Sequence, residues 1–424
     1  MPGLQGSVNC LASSPWCEAA WRRGARLSPW LGKAAPPGYK TQVMLTRLEV
    51  DGFKSLRDFS IELEPLTVLL GPNDAGKSNI LEALALSSRL PVHSPEDALK
   101  QGRGRALDQF RREGSRTSST IALNLETLEP ESVGDARWVD RMRYELKLER
   151  IVRGAGPERV GYQVERVVMK RAGDSWLDAH PAWAPLLSDL PDALKGHHRL
   201  HIPIIEFHAT HLREASERID SGQLAPDASN LPSVLALQPD DVLAEIRTQL
   251  AALIPGIADF AVIEQDEQYH IEFRARDGAT VPARLASDGT LRMLALLTAV
   301  LARPGGTWDS IICVEEPENG IYPGRLRRLI DLLRDVTRSD AWIAGEVKRP
   351  APQILITTHS PVFLAALRQQ PEALRYIDTV VRDGQRLTRA RRVGESSRAD
   401  RGTTIGIGEI DAILHSVSRG EDIP

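Results

Sequence analysis

Eight residues constrain this chain more than any others: Gly71-Pro72-Asn73-Asp74-Ala75-Gly76-Lys77-Ser78, which fits the pattern G-x-x-x-x-G-K-S/T. Just upstream, Leu66–Leu70 is almost wholly apolar, as a strand covered on both faces of a parallel sheet must be. Downstream, Asn79–Arg89 carries Ile80, Leu81, Leu84 and Leu86 along a helix. Strand, glycine-bounded loop and helix in that order form an anion cradle. Gly71 and Gly76 let the backbone wrap round phosphates with its amides inward, and the helix N-terminus adds positive potential. Lys77 brings a point charge to β- and γ-phosphates, and the Ser78 hydroxyl is placed for Mg2+. The expected fold class is α/β.

A second apolar strand ends in acid. Ile311-Ile312-Cys313-Val314 runs into Glu315-Glu316-Pro317-Glu318-Asn319. Carboxylates at the carboxyl edge of the same sheet would stand beside the phosphate loop. One can hold the Mg2+ shell and the next can orient or deprotonate an attacking water, so Glu315 is assigned to the metal and Glu316 to the water. Leu285-Ala286-Ser287-Asp288-Gly289-Thr290 opens the apolar helix Leu291–Leu301. Read alone, it is as readily a plain N-cap as a small anion site. Ile354-Leu355-Ile356-Thr357-Thr358 leads a third apolar strand into His359-Ser360-Pro361. An imidazole just past such a strand can reach the γ-phosphate or the water.

Composition removes alternatives. Three cysteines, Cys10, Cys17 and Cys313, in 424 residues exclude a disulfide scaffold and a four-cysteine zinc site, and suit a reducing cytoplasm. The longest largely apolar run, Met293 to Ala302 with only Thr298 interrupting it, is about half a membrane span, and no apolar leader opens the chain. A cytoplasmic protein with no membrane partner is expected. Lys plus Arg number 53 against 57 for Asp plus Glu, which excludes a constitutively basic nucleic-acid coat.

Residues 1–43 hold Trp16, Trp21 and Trp30 and many basic side chains but no lasting period, and read as an unstructured extension or a start codon placed too early. Residues 44–95 read as a first lobe, with two strands across Leu45 to Leu70 and the phosphate loop after them. Alternation at Ile121, Leu123 and Leu125, at Tyr144, Leu146 and Leu148, and at Val164 and Val167 predicts antiparallel strands. With a helix at Asp240–Leu253 and a hairpin at Phe260–Glu264 and Tyr269–Arg274, these make an inserted β and helical subdomain over 96–280. A second lobe, 281–381, returns to α/β, with helices at Leu291–Leu301 and Gly324–Val336 and strands at Ile311–Val314 and Gln353–Thr357. Residues 382–424 read as a basic C-terminal segment.

The order of motifs (phosphate loop, Ser-Asp-Gly-Thr, Glu-Glu-Pro-Glu-Asn, Thr-Thr-His-Ser-Pro) resembles the RecF/SMC-like ABC-type ATPases. More narrowly it is similar to bacterial AAA family ATPases of the AAA-21 type. The likeness runs from roughly Met44 to Val381 and takes in Gly52-Phe53-Lys54-Ser55 and Asn230-Leu231-Pro232. It implies a P-loop NTPase: an ABC-type ATPase head with an antiparallel β subdomain and a helix-rich insertion. The long separation of Ser78 from Ser287, filled by mixed strands and helices, looks more like RecF than like transporter domains or coiled-coil SMC chains.

The resemblance also implies roles. ATP would be bound by Gly71, Pro72, Asn73, Asp74, Ala75, Gly76, Lys77, Ser78 and Asn79, with Mg2+ on Ser78 and Glu315. Lys77, Glu316 and His359 would be catalytic, the last as a switch histidine, in an ATPase that turns ATP and water into ADP and phosphate. Ser287, Asp288 and Gly289 would reach the γ-phosphate of ATP on a second subunit, in a homodimer that sandwiches ATP, and Glu318 and Asn319 would bridge its two sites. Glu315 stands where aspartate is common, Tyr322 stands where histidine is frequent, and no glutamine loop is assigned. The expected output is a conformational switch on DNA or on an effector protein encoded nearby, in DNA repair or phage defence. The alternative is a nucleotide-sensing module that gates an effector nuclease or toxin with little turnover of its own.

Two lesser groups remain. His197, His198, His201, His208 and His211 cluster without a cysteine and read as a surface turn before a strand at Ile202–Phe207 more readily than as a zinc site. Arg103, Arg105, Arg111, Arg112 and Arg116, and again Arg382, Arg386, Arg389, Arg391 and Arg392, can face DNA phosphates or simply lie among the interspersed acids.

Overall fold

The structure, a computed structural model, describes residues 44–90, 93–114, 116–133, 136–152, 160–171, 177–179, 204–205, 210–219, 222, 224–225, 227–302, 311–319, 321–337, 352–394 and 402–419. The expected extension at 1–43 and four of the clustered histidines, His197, His198, His201 and His208, lie outside these residues.

The frame is a seven-stranded sheet, ordered Ile204–Ile205, Ile311–Glu315, Gln353–Thr358, Leu66–Leu70, Leu374–Arg382, Gln385–Val393, Thr404–Ile405. The first five strands run parallel, and Gln385–Val393 turns back antiparallel on its neighbour. Parallel strands are covered on both faces, and the alternation of side chains shows it. Val68, Leu70, Ile312, Val314, Ile354 and Ile356 enter one core, while Leu69, Ile311, Cys313 and Leu355 enter the other.

The first core is helical. It is filled by Leu291, Leu294 and Leu297 of helix Asp288–Leu301, by Leu329 and Leu333 of Pro323–Thr337, and by Ile246 and Leu250 of Asp240–Leu253. The hairpin Ile257–Gln265 and Gln268–Ala275 adds Phe260 and Phe273 to it. The second core lies under helix Lys77–Arg89, through Ile80, Leu81 and Leu84, and under an antiparallel sheet. That sheet runs Phe59–Glu62, Met44–Asp51, Thr120–Val133, Ala136–Val152, Val160–Arg171, Leu177–Ala179.

Three features differ from the sequence reading. Leu45 to Leu70 holds three strands, not two. After Asp51 the chain turns through Gly52 at φ 78 and Asp58 at φ 46, then returns as Phe59–Glu62, whose alternation is too short to stand out. The antiparallel sheet is also not wholly an insertion over 96–280, because two of its strands precede the phosphate loop. Finally, the basic segment after 381 contains a strand of the main sheet. Its charges hid its period: Leu387 and Val393 are buried, and Arg389 and Arg391 both reach Asp378 on the neighbouring strand. Elsewhere the expected strand at Ile202–Phe207 is described only at Ile204–Ile205.

Candidate functional site

Strand register brings three motifs to one edge. Thr358 pairs with Leu70 and Glu315 pairs with Thr357, so the phosphate loop, the acidic strand end and the histidine segment leave the sheet side by side. The Gly71 N–H donates to the Thr358 carbonyl at 3.3 Å. A Cβ on Gly71 would lie 2.0 Å from the Ile377 carbonyl oxygen, so no other residue fits. Asp74 and Gly76 take left-handed φ values of 62 and 95. Helix Lys77–Arg89 then starts without a side-chain cap, which leaves its first amides for an anion.

Lys77 is 6% exposed, and its Nζ donates to the carbonyls of Gly71 at 2.8 Å and Pro72 at 2.9 Å. Burial pushes its ammonium below the usual lysine range, opposed by Glu316, Glu318, Asp74 and Glu315. A buried cation thus sits in the field of four carboxylates.

The acidic turn is tightly held. Glu316 adopts φ 41, a conformation that side chains rarely take, and its N–H donates to the Thr357 carbonyl at 2.9 Å. One Glu316 oxygen accepts from Asn319 Nδ2 at 2.9 Å, and the other lies 3.4 Å from His359 Nδ1. Glu318 accepts from the Thr358 hydroxyl and from the His359 N–H, and its Oε1 is 3.8 Å from His359 Nδ1. Burial pushes the Glu318 carboxyl above the usual range, with the hydrogen bonds from Thr358 and the backbone opposing. The exposed imidazole of His359 therefore stands between two carboxylates.

Buried oxygens without partners test whether a cation fits. Glu315 Oε1 and Glu318 Oε2 are both buried and accept no hydrogen bond. Such oxygens, with the Ser78 hydroxyl at the helix start, suit Mg2+, which takes only one or two carboxylates plus phosphates and water. Among the described residues no group of three or more His, Cys, Asp and Glu is arranged to hold a metal by protein ligands alone. The other Glu315 oxygen pairs with Arg103. Arg103 also lies 3.6 Å from Glu82, whose second oxygen pairs with Lys54.

Two candidates behave differently from the rest. Asn79 already has a side-chain partner, donating to Ser55 Oγ at 2.7 Å. Ser287 caps helix Asp288–Leu301 by accepting from the Thr290 N–H at 3.1 Å. Asp288 pairs with Arg213, which also donates to the carbonyls of Arg284 at 2.9 Å and Ala286 at 2.8 Å. Arg213, Arg103 and the anchoring role of Glu318 escaped sequence reasoning: each acts through a partner remote in sequence, with no local spacing to signal it. In the arginine groups, Arg105 and Arg112 pair with Asp108, Arg389 and Arg391 with Asp378, and Arg392 with Glu62. His211 lies 3.0 Å from Asp227.

The fold has solved relatives. An SMC head bound to the C-terminal winged-helix domain of ScpA superposes with TM-score 0.50 at 16% identity, over 82% of this chain and 97% of that one. An SMC head from Pyrococcus furiosus with an extended coiled coil gives TM-score 0.49 at 13% identity, over 89% and 100%. The first of these superpositions shows that the chain has the ABC-type P-loop head fold. Residues 44–111 match the family described as AAA ATPase domain, and residues 171–365 match the family described as AAA domain, putative AbiEii toxin, Type IV TA system. Over these two stretches the chain is thus similar to ATPase domains, on a fold of the ABC-type P-loop head. A segment of 43 residues is 51% identical to the OLD nuclease of Thermus scotoductus, covering 10% of this chain but 8% of that nuclease. No helix among the described residues is long and apolar enough to cross a membrane.

Proposed function

We propose that the protein binds and hydrolyses ATP with Mg2+, and that two copies close on two nucleotides as a switch acting on DNA or on an effector protein. The observation that carries this is the meeting of buried Lys77 with Glu315, Glu316 and Glu318 beside an uncapped helix start. Lys77 exchanges the loop carbonyls for β- and γ-phosphate oxygens, which relieves the cost of its burial. Ser78 and Glu315 would hold the metal. When bound, Mg2+ neutralises charge on the phosphates. Glu316, fixed by Asn319 on one oxygen, accepts the proton of the attacking water on the other, and His359 orients that water. Ser287, Asp288 and Gly289 complete the site of the opposite copy. The pathway, repair or phage defence, follows from the effector.

Steady-state phosphate release tests the chemistry. Lys77→Ala loses nucleotide binding. Glu316→Gln keeps binding and lowers turnover by about two orders of magnitude or more, because the base is removed while the metal ligand stays. An unchanged rate in Glu316→Gln refutes the assignment of the base. A parent chain that binds ATP but scarcely turns it over supports the nucleotide-sensing alternative, for which the Arg103 contact on Glu315 is the one favourable observation.

A further inference from the structure

The C-terminal strand Gln385–Val393 touches the phosphate loop from behind. Thr388, 4% exposed, donates its hydroxyl to the Ala75 carbonyl at 3.0 Å. Its Oγ1 lies 2.6 Å from Ser55 Oγ, which in turn accepts from Asn79 Nδ2 at 2.7 Å. The direction of this chain can be deduced. Each hydroxyl has one proton. Thr388 gives its proton to Ala75, so Ser55 must donate to Thr388, and Ser55 accepts from the amide of Asn79. One relay, Asn79 to Ser55 to Thr388 to Ala75, joins the helix start, the turn after the first strand, the last long strand and the loop. The same strand is pinned to that turn twice more. The Thr388 N–H donates to the Ser55 carbonyl at 3.1 Å, and Arg111 bridges the Lys54 carbonyl and Gln385 Oε1. A Cβ on Gly76 would lie 2.0 Å from Thr388 Oγ1, so the hydroxyl also fills the space behind the left-handed glycine.

We infer that Thr388 is a positioning residue for nucleotide binding: through this relay it orients the Ala75–Gly76 peptide and so aims the loop amides at the phosphates. The inference rests on the nucleotide-binding reading above. Without its donor the buried Ala75 carbonyl loses its partner, and the loop relaxes toward conformations that point fewer amides inward. The role belongs to the hydroxyl, not to the volume of the side chain.

Two substitutions separate those properties. Thr388→Val keeps the shape and deletes the hydroxyl, whereas Thr388→Ser keeps the hydroxyl and deletes a methyl. The full chain is titrated with Mg2+ and a fluorescent N-methylanthraniloyl ADP, well below each variant's unfolding midpoint, with Lys77→Ala as control. Thr388→Val is expected to weaken binding about tenfold while Thr388→Ser stays within about twofold of the parent, the scale of one lost hydrogen bond to a buried group. The reverse order, Val like the parent and Ser impaired, means a packing role and overturns the inference, as does parental affinity in Thr388→Val. Should Thr388→Val fail to fold, Ser55→Ala decides, because it leaves Thr388 in place but removes its donor: parental affinity there overturns the relay. A parent chain that fails to bind the nucleotide, or binds it no better than Lys77→Ala, removes the nucleotide reading and this inference with it. Tight binding by the parent with loss only in Lys77→Ala removes this inference alone.

Discussion

The two halves of the proposed nucleotide site are built in opposite ways. At the phosphate-loop edge the working groups are withdrawn from water: Lys77 is 6% exposed, and Glu315 and Glu318 each carry a buried oxygen without a partner. At the Ser287 corner they face outward. Ser287 and Asp288 are exposed, and Leu285 beside them is 71% exposed. The first half holds unsatisfied polar groups that a charged ligand completes. The second has already satisfied its own, Ser287 on Thr290 and Asp288 on Arg213. Desolvated groups bind a small ion strongly. On the proposed reading, a capped, exposed helix start gains little from free nucleotide and acts only when phosphates held by a second copy are pressed against it. The contrast gives the proposed dimer its logic.

The largest effect expected from this contrast is on assembly. In a Glu316→Gln background, where ATP persists, Ser287→Arg should weaken ATP-dependent association by about a hundredfold or more, while monomer nucleotide affinity stays within about twofold, since a buried mispaired charge is costly at an interface and harmless when exposed. Light scattering across ATP concentrations reads it. Equal dimerisation of Ser287→Arg and its parent breaks the model. Arg213→Ala attacks the same corner more gently. It frees Asp288 and the Arg284 and Ala286 carbonyls, and about tenfold weaker association is expected from the loss of a charge-assisted clamp.

A smaller effect separates the two halves by metal. Arg103 pairs with one oxygen of Glu315, so its charge competes with a cation for that carboxylate. Arg103→Ala should tighten Mn2+ binding in the presence of saturating ADP by about fivefold, a modest Coulomb gain at a partly exposed site. The paramagnetic signal of free Mn2+ measures it. Weaker binding instead would make Arg103 an orienting group for Glu315. Ser287→Arg should leave this measurement unchanged.

Legibility in the sequence followed a different divide, local pattern against partners remote in sequence. The strand–loop–helix around Gly71–Ser78 and the apolar strands ending at Glu315 and Thr358 could be read because each packs its chemistry into one short local pattern. The three-strand start, the strand at Gln385–Val393 and the braces Arg103, Arg213 and Thr388 could not. Charged pairs across a sheet disguise a strand's period: the arginines of Gln385–Val393 look like a solvated tail until Asp378 is placed beside them. Asn79 is a further case: the resemblance implied a ligand contact, and nothing in its spacing signals that its side chain donates to Ser55.

The smallest expected effect tests whether the loop edge really stores a burial cost. Burial raises the Glu318 carboxyl above its unfolded value. Between the two values the folded chain keeps a proton that the unfolded chain has lost. Stability therefore falls as pH rises through that window and stays lower above it. Glu318→Gln is uncharged at every pH. Its carbonyl oxygen can still accept from the Thr358 hydroxyl and the His359 N–H, and its amide takes the place of an oxygen that had no partner. Without nucleotide or Mg2+, variant and parent should differ least at the acid end, below that window, where the carboxyl is protonated in the folded and unfolded chains alike. By about pH 7.5 the variant should be the more stable of the two, with the higher melting temperature. Added Mg2+ and nucleotide should narrow the gap by stabilising the parent's carboxylate cluster. A variant less stable than its parent at neutral pH would mean that the Lys77 charge already compensates Glu318. The edge would then be an ordinary satisfied ion cluster, and the difference between the two halves of the site would shrink to exposure alone.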